Sequence, residues 1–354
     1  MARILTNADL ADLLADEAEE QSGTLSRAYR RAARSAFLWP ETVAGMIRRG
    51  ESLLELHGVG PFIARKLTEW IERPPTRRPS RSAIRRDFLT MADARALLTA
   101  KPAWPGQLRG DLQMHSVWSD GSGTIAEMAA AGAERGYEYI AITDHSKGLK
   151  IAGGINETDL LRQATEIEQT NRGIATAGGR LTVLRSIELN LNPRGEGDMQ
   201  SRALARLDVV LGSFHSALRI KEDQTDRYLA AVRNPTVQIL GHPRGRIYNY
   251  RLGLKADWPR VFAEAAKLDK ALEIDCYPDR QDLNLSLLKI ASKEGVRISL
   301  GTDAHHPWQL EFITIGLAAA LKARVPAARI INFLPLVELK RWIKETRQRA
   351  RSRT

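Results

Sequence analysis

From about residue 109 the chain repeats one unit: a short aliphatic or β-branched run, a side chain of metal-binding type, then a stretch of helical periodicity. The runs fall at 111–114, 139–143, 181–187, 208–212, 237–240, 272–274 and 297–300. The helical stretches between them include 125–135, 159–170, 226–233, 258–268 and 285–294. Strands separated by helices lie parallel, because a crossover returns the chain to the end of the sheet it started from. About seven such units predict an α/β fold closed, or nearly closed, into a barrel rather than a short open sheet.

The residues that follow the runs are, in order, His115, His145, Glu188, His215, His242, Glu273, and Asp303 with His305. Successive leading members lie 27 to 43 residues apart, about one strand–helix unit each, so one end of the barrel presents imidazole or carboxylate every time. That end is where barrels build their sites. A single histidine after a strand is more often a satisfied polar group than a ligand. Here five of the chain's seven histidines take these positions beside Glu188 and Asp303, and the metal reading outweighs the bland one. A mixture of neutral imidazole and carboxylate suits Zn²⁺, Mn²⁺ or Fe²⁺ rather than Ca²⁺ alone. Glu188 and Asp303 each have two oxygens with which to bridge a pair of ions. Closely spaced ions activate water and clamp a phosphate, so phosphoester hydrolysis is the expected chemistry. Glu273 is expected to support the barrel mouth, His306 to be structural, and Cys276 to pack.

Composition narrows the setting. Hydrophobic residues make up 43% and charged residues 27%, which excludes a mainly disordered chain, and no apolar run approaches the ~20 residues of a membrane span. One cysteine excludes a disulfide framework and fits a reducing interior; with no signal-peptide pattern at the N-terminus, a cytoplasmic protein is expected. Of the net charge of +11, residues 65–86 and 340–354 carry +6 each, leaving −1 for the rest. Two concentrated basic segments point to a polyanion such as nucleic acid, or else to a solvated linker and a frayed tail.

The segments GDLQMHSVWSDG, AITDHS, SIELNL, GSFHS, LGHPR, LEIDCYPDRQD and LGTDAHH together resemble the PHP (polymerase and histidinol phosphatase) domain over residues 109–335. The resemblance implies a distorted (β/α)7 barrel with a trinuclear metal site. It implies one metal on His115, Glu188 and Asp303, the candidate catalytic residues. A second would sit on Glu188, His215 and His242, and a third on Asp120, His145 and His305. The family's first motif reads His-x-His, and Gln113 stands at its first position. An amide oxygen is the weaker ligand, which implies a first position weakly filled, empty, or suited to Mn²⁺ or Mg²⁺ over zinc. Arg244 and Arg246, which follow His242, are candidates to hold a substrate phosphate. Arg280 and Asp282 would order a rim loop or touch substrate, and Trp118 would stack on a base or cover its loop.

Residues 1–72 read as helices, with Asn7 as a first cap and Leu10, Leu13, Leu14 and Ala18 as a stripe. Leu25, Tyr29, Ala32 and Ala36 form a second stripe, with Arg27, Arg31 and Arg34 away from it; Pro40-Glu41 opens a third helix. Residues 73–82, RPPTRRPSRS, cannot form a regular helix, and 73–108 are expected as a basic linker, as 336–354 are a basic C-terminal helix or tail. Gly58-Val59-Gly60 lies between helical stretches 52–56 and 61–71, which leaves N–H groups open to an anion, with Arg65 and Lys66 a turn further on. This resembles a helix-hairpin-helix motif, which grips a DNA phosphate without reading bases. The wider segment is similar to the N-terminal helical domain of family-X DNA polymerases, whose bacterial members carry a PHP domain at the other end. The chain thus keeps two ends without a polymerase core, and neither polymerase nor lyase activity is expected. The expected function is a metal-dependent phosphodiesterase on DNA, a 3′–5′ exonuclease or end-processing nuclease. A histidinol-phosphatase-like phosphomonoesterase, or a DNA-binding scaffold weakened by Gln113, are the alternatives.

Overall fold

The computed structural model describes residues 4–76 and 82–351, so the arginines of the basic run 77–81 lie outside it. Eight strands follow the expected runs closely: β1 Gly110–Met114, β2 Tyr139–Ile142, β3 Thr182–Arg185, β4 Glu188–Asn190, β5 Leu211–Ser213, β6 Ile239–Leu240, β7 Ala271–Asp275 and β8 Arg297–Gly301. They form two all-parallel sheets, β1-β2-β3 and β4-β5-β6-β7-β8. The run expected at 181–187 is broken at Ser186-Ile187, which splits it between the sheets. Bridges His145↔Glu188 and Met114↔Ala304 connect the sheets at the end where the polar residues lie. This arrangement is compatible with the expected barrel.

Each strand alternates its faces even though both are buried. In β2, Tyr139 and Ala141 join one apolar cluster with Leu112, Leu184, Leu211, Ile239 and Ala271, whereas Ile140 and Ile142 pack under helices with Met128 and Ile167. The first cluster is sealed by Leu339, Trp342 and Ile343 of the C-terminal helix Leu336–Arg351. The basic tail is therefore a packed amphipathic helix over its described length, because its charges fall on one face only.

The seam between β1 and β8 is held largely by side chains. Asn332 is fully buried; its Oδ1 accepts from Leu300 N at 2.7 Å while its Nδ2 donates to Gly110 O at 2.9 Å and Leu300 O at 2.8 Å. Asp111 accepts from Thr302 N at 3.2 Å and Thr302 Oγ1 at 2.5 Å. Burial in that seam pushes the Asp111 carboxyl up to about 6.

Helices α1 Asn7–Glu20, α2 Gly23–Ser35, α3 Val43–Arg49 and α4 Pro61–Glu72 build the N-terminal unit around Leu10, Leu14, Phe37, Trp39 and Leu67. Thr6, not Asn7, caps α1 in a capping box with Asp9; Asn7 instead binds Val43 N at 3.0 Å and Glu41 O at 2.7 Å. Thr42 caps α3, so that helix opens later than Pro40 predicts, and the stretch near 52–56 is a single tight turn, Leu53–Glu55. Much of the expected linker is structured. Helix α5 Met91–Thr99 buries Met91, Ala94 and Leu98 in the main core of the strand domain.

The N-terminal unit is seated on the strand domain. Tyr248, from the loop after β6, packs on Phe37 with centroids 4.6 Å apart and donates to Asp12 Oδ1 at 2.7 Å. Arg85, almost wholly covered, reaches Asp16, Glu19 and, at 2.9 Å, Asn249 Oδ1. Among the described residues no helix is long and apolar enough to cross a membrane.

Candidate metal centre

The ends of parallel strands aim the site. His115 follows β1, and its N–H bonds Ala304 O at 2.7 Å, which sets it beside the segment after β8; its Nε2 then lies 2.9 Å from Asp303 Oδ1 and 3.4 Å from Glu188 Oε2. Glu188 opens β4 and stands at the centre. His242 Nε2 is 2.6 Å and His215 Nε2 3.1 Å from its Oε1, and His145 Nδ1 is 3.2 Å from its Oε2. Asp120 forms the outer corner, with His305 Nε2 at 3.4 Å, His145 Nε2 at 3.6 Å and His115 Nδ1 at 3.9 Å from its Oδ1.

Three groups have ligand atoms mutually within 4.8 Å: His115, Asp120, His145 and His305; His145, Glu188 and His215; and His115, Glu188 and Asp303. The last is the set the family resemblance implies for one ion. The first adds His115 to the expected third set, and the second has His145 where His242 was expected, although His242 also touches Glu188. Several buried atoms here lack any hydrogen-bond partner: His115 Nδ1, His145 Nδ1, His215 Nε2 and Glu188 Oε2. Leaving buried polar atoms unpaired costs about 1–3 kcal/mol each. Lone pairs converging from several strands fit divalent cations in that role.

Electrostatics agree with this fit. Burial alone would raise Glu188, but His145, His242 and His215 hold its carboxyl well below the usual range. Burial likewise opposes ionisation of Asp303, and the Arg280 guanidinium and His115 overcome it. Asp120 is brought to about 2, against burial, by its bond to His305 and by His115 and His145. Burial takes His145 down to about 4, which keeps its ring neutral, with one nitrogen free to donate a lone pair. Deeper down, burial pushes the Glu273 and Asp275 carboxyls well above their usual range.

Gln113 lies on β1, fully buried. With its amide nitrogen toward Glu273 it donates to both carboxyl oxygens, at 2.5 and 2.7 Å, so the amide is engaged by Glu273. Glu273 also accepts from His242 N at 2.7 Å, so it supports two residues of the mouth. Asp303 and His242 take left-handed backbone angles, φ +53° and +22°, a strained choice for side chains held at a site. Gly121 allows the loop carrying Asp120 to close, since a Cβ there would stand 2.6 Å from the His115 carbonyl carbon.

The phosphate candidates need correction. Arg244 turns back onto its own loop, donating to Leu252 O at 3.0 Å and Leu254 O at 3.3 Å. Arg246 borders the mouth but is buried, with its guanidinium 3.8 Å over the Phe88 ring and donating to Arg86 O. The arginines that line the mouth cavity of about 260 Å³ with it are Arg251 and Arg280, and Arg280 bonds Asp303 directly. Trp118 is tied to Glu166 Oε2 at 2.7 Å and covers its loop. At the hairpin, Gly58 takes φ +74° close against Ser35, Val59 is buried, and Gly60 caps α4 with no side-chain acceptor. Arg65 is exposed, whereas Lys66 lies over Trp70 near Glu17 and Glu69.

Sequence reasoning missed Asp144, which orders the His115–Asp120 loop by accepting from Ser116 N at 2.8 Å, Ser116 Oγ at 2.6 Å and Ser119 Oγ at 2.5 Å. It also missed Asn190, 3.1 Å from His215 Nδ1. A partner such as Asn190 fixes ring orientation and tautomer. The signal of both residues was adjacency to a ligand, which sequence alone does not separate from chance.

A family model described as PHP domain matches residues 111–302. The DNA polymerase/3'-5' exonuclease PolX of Bacillus subtilis (strain 168) is 36% identical over 240 residues, covering 68% of this chain and 41% of that protein. The chain thus spans less than half the length of that relative. "Probable phosphatase PBPRB2022" of Photobacterium profundum is 32% identical over 206 residues, covering 55% of this chain and 77% of that protein. Among solved structures, a histidinol phosphate phosphatase of Lactococcus lactis subsp. lactis Il1403, complexed with zinc, L-histidinol and phosphate, matches with TM-score 0.42 and 17% identity over 60% of this chain and 93% of that one. With more than half of its residues matched by one family model, and the ligand-type side chains of that span gathered at one mouth, this chain belongs to the PHP-domain family of metal-dependent phosphoesterases.

Proposed function

We propose that the chain is a phosphodiesterase acting on DNA ends, a 3′–5′ exonuclease or end-processing nuclease that uses two or three divalent ions, manganese or zinc. One observation carries this reading: the loops that furnish the metal centre also carry the helical unit. The loop after β7 holds Arg280 against Asp303 and, one residue earlier, Asp279 at 3.9 Å from Arg34 of α2. The loop after β8 holds Asp303 and His305 and, three residues on, Trp308, whose ring lies 6.4 Å from that of His57 in the hairpin. A strand held by the helical unit would thereby end at the mouth.

Ions on the three groups would supply a water of lowered pKa and positive charge against a phosphate. The protein's own part is to keep Glu188, Asp303 and Asp120 ionised and His145 neutral, to hold the His215 ring by Asn190 and the His305 ring by the Asp303 carbonyl, and to order the Asp120 loop by Asp144. Arg251 and Arg280 at the rim are placed to meet phosphate oxygens. The hairpin residues Gly58, Gly60 and Arg65 would grip the backbone without reading sequence. The mouth cavity of about 260 Å³ also suits a small phosphomonoester, and a relative named as a phosphatase supports that second reading. Comparing kcat/KM for a 5′-labelled DNA strand and for histidinol phosphate, both with Mn²⁺, decides between them: the proposal requires the DNA value to be the larger.

A further inference from the structure

A groove of about 570 Å³ runs between α2 and the loops after β7 and β8, outside the metal centre and on a different face from Arg65. One wall is a stripe of four exposed arginines, Arg27, Arg30, Arg31 and Arg34, at the i, i+3, i+4, i+7 spacing of one helix face. The facing wall carries Tyr277 and Trp308, the latter 44% exposed, and His57 closes one end. Among the described residues neither Arg30 nor Arg31 pairs with a carboxylate, and Arg27 binds only Thr24 Oγ1, at 3.2 Å. The acidic residue in the lining is Asp279, beside Arg34, and burial raises its carboxyl.

We propose that this groove binds a single-stranded nucleic-acid end and leads it to the metal centre; the inference rests on the nuclease reading above. The two walls divide the recognition. A cationic stripe tracks phosphates, and aromatic faces opposite it take unstacked bases, a combination that suits one strand and not a duplex. The four arginines rise about 10 Å along α2, long enough for the stripe to run beside the backbone of a strand. The exit is fixed by the same loops: Trp308 lies three residues past His305, and Tyr277 lies under the Arg280 guanidinium at 5.0 Å, which bonds Asp303. Trp308 packs edge-on against Phe312 at 5.2 Å yet keeps 44% of its surface open beside the arginines, which leaves ring area for a base.

The test measures binding of a 5′-labelled oligothymidylate to the full chain by fluorescence anisotropy, in chelator so that nothing is cut, at several salt concentrations. Arg30→Gln with Arg31→Gln is expected to flatten the slope of log affinity against log salt by about 1.4, at ~0.7 per lost contact. Trp308→Ala is expected to weaken binding by about 5- to 150-fold. Unchanged thermal unfolding and bound-Mn²⁺ content show that each variant is folded. Variants that bind as wild type overturn the groove; if wild type still shortens DNA with Mn²⁺, the nuclease reading survives that result. Groove-dependent binding by a wild type that cuts no DNA keeps the groove and removes the nuclease. Displacement of the strand by polyglutamate as readily as by unlabelled DNA overturns the nucleic-acid assignment in favour of an acidic polypeptide.

Discussion

Asn332→Leu should be among the most damaging substitutions far from the mouth, because Asn332 stands in for a backbone ladder. Its side chain makes three bonds of 2.7 to 2.9 Å across the β1–β8 seam with no solvent access. Leucine keeps the branch and the heavy-atom count, so the main loss is polar, with the bulk of two methyl groups adding to it: Leu300 N, Gly110 O and Leu300 O are left without that partner. At about 1–3 kcal/mol per buried unpaired group, with part regained by relaxation, the expected loss is ~3–6 kcal/mol out of a typical ~5–15. Asn332→Asp separates this account from a packing defect. It keeps the acceptor for Leu300 N but turns an oxygen toward two carbonyls, which raises its folded-state pKa above the ~3.9 of an unfolded aspartate. The aspartate penalty is then smallest near pH 4 and grows as pH rises toward neutrality, while the leucine penalty stays flat. Urea unfolding of both variants from pH 4.5 to 7.5, compared at each pH with wild type, reads the effect as a midpoint shift at constant m. A loss below about 1 kcal/mol for leucine, or an aspartate deficit that does not grow with pH, would refute the seam argument.

Other expectations follow from particular contacts. Burial and the nearby Arg347 bring Lys270 down to about 7; its cost to the fold is present in full below that pH and fades as pH rises toward ~10. Lys270→Met should therefore lose ground against wild type between pH 7 and 10, by up to about 1.4 kcal/mol per unit, and a pH-independent difference would contradict this. Gly316→Ala should destabilise the chain because its Cβ would overlap Cys276 Sγ, and Cys276→Ala should rescue it in a double-mutant cycle. Chelation of the metal-loaded protein should lower its Tm, with about 2.7 kcal/mol at stake when free metal is 100 times Kd, and equal melting of both forms would count against a folded-state site.

Much of the strand domain was legible in sequence because spacing and chemistry coincide: residues of metal-binding type follow seven successive runs at intervals of about one strand–helix unit. What stayed hidden depends on long-range contacts. The step between the sheets at Ser186-Ile187 carries no glycine or proline to mark it, and both residues are buried. Met91–Thr99 looked like linker because prolines and arginines precede it, yet Met91, Ala94 and Leu98 supply one apolar face. The C-terminal segment read as a basic helix or tail from its charge, and what charge does not reveal is that Leu339, Trp342 and Ile343 form a stripe that plugs the strands. Arg244 read as a phosphate candidate and Arg280 as a rim-loop or substrate residue, and only the loop course shows that the first bonds its own backbone and the second bonds Asp303.

The central claim is that this metal centre cuts DNA, and Asp303 tests it most directly because it is buried at the mouth between His115 and Arg280. The measurement is Mn²⁺-dependent shortening of a 5′-labelled, 3′-recessed oligonucleotide by wild type and Asp303→Ala. The account predicts a ladder of shortened products from wild type that vanishes with chelator and with the substitution. An intact strand after incubation with metal-loaded wild type, or a ladder that survives Asp303→Ala, would contradict it.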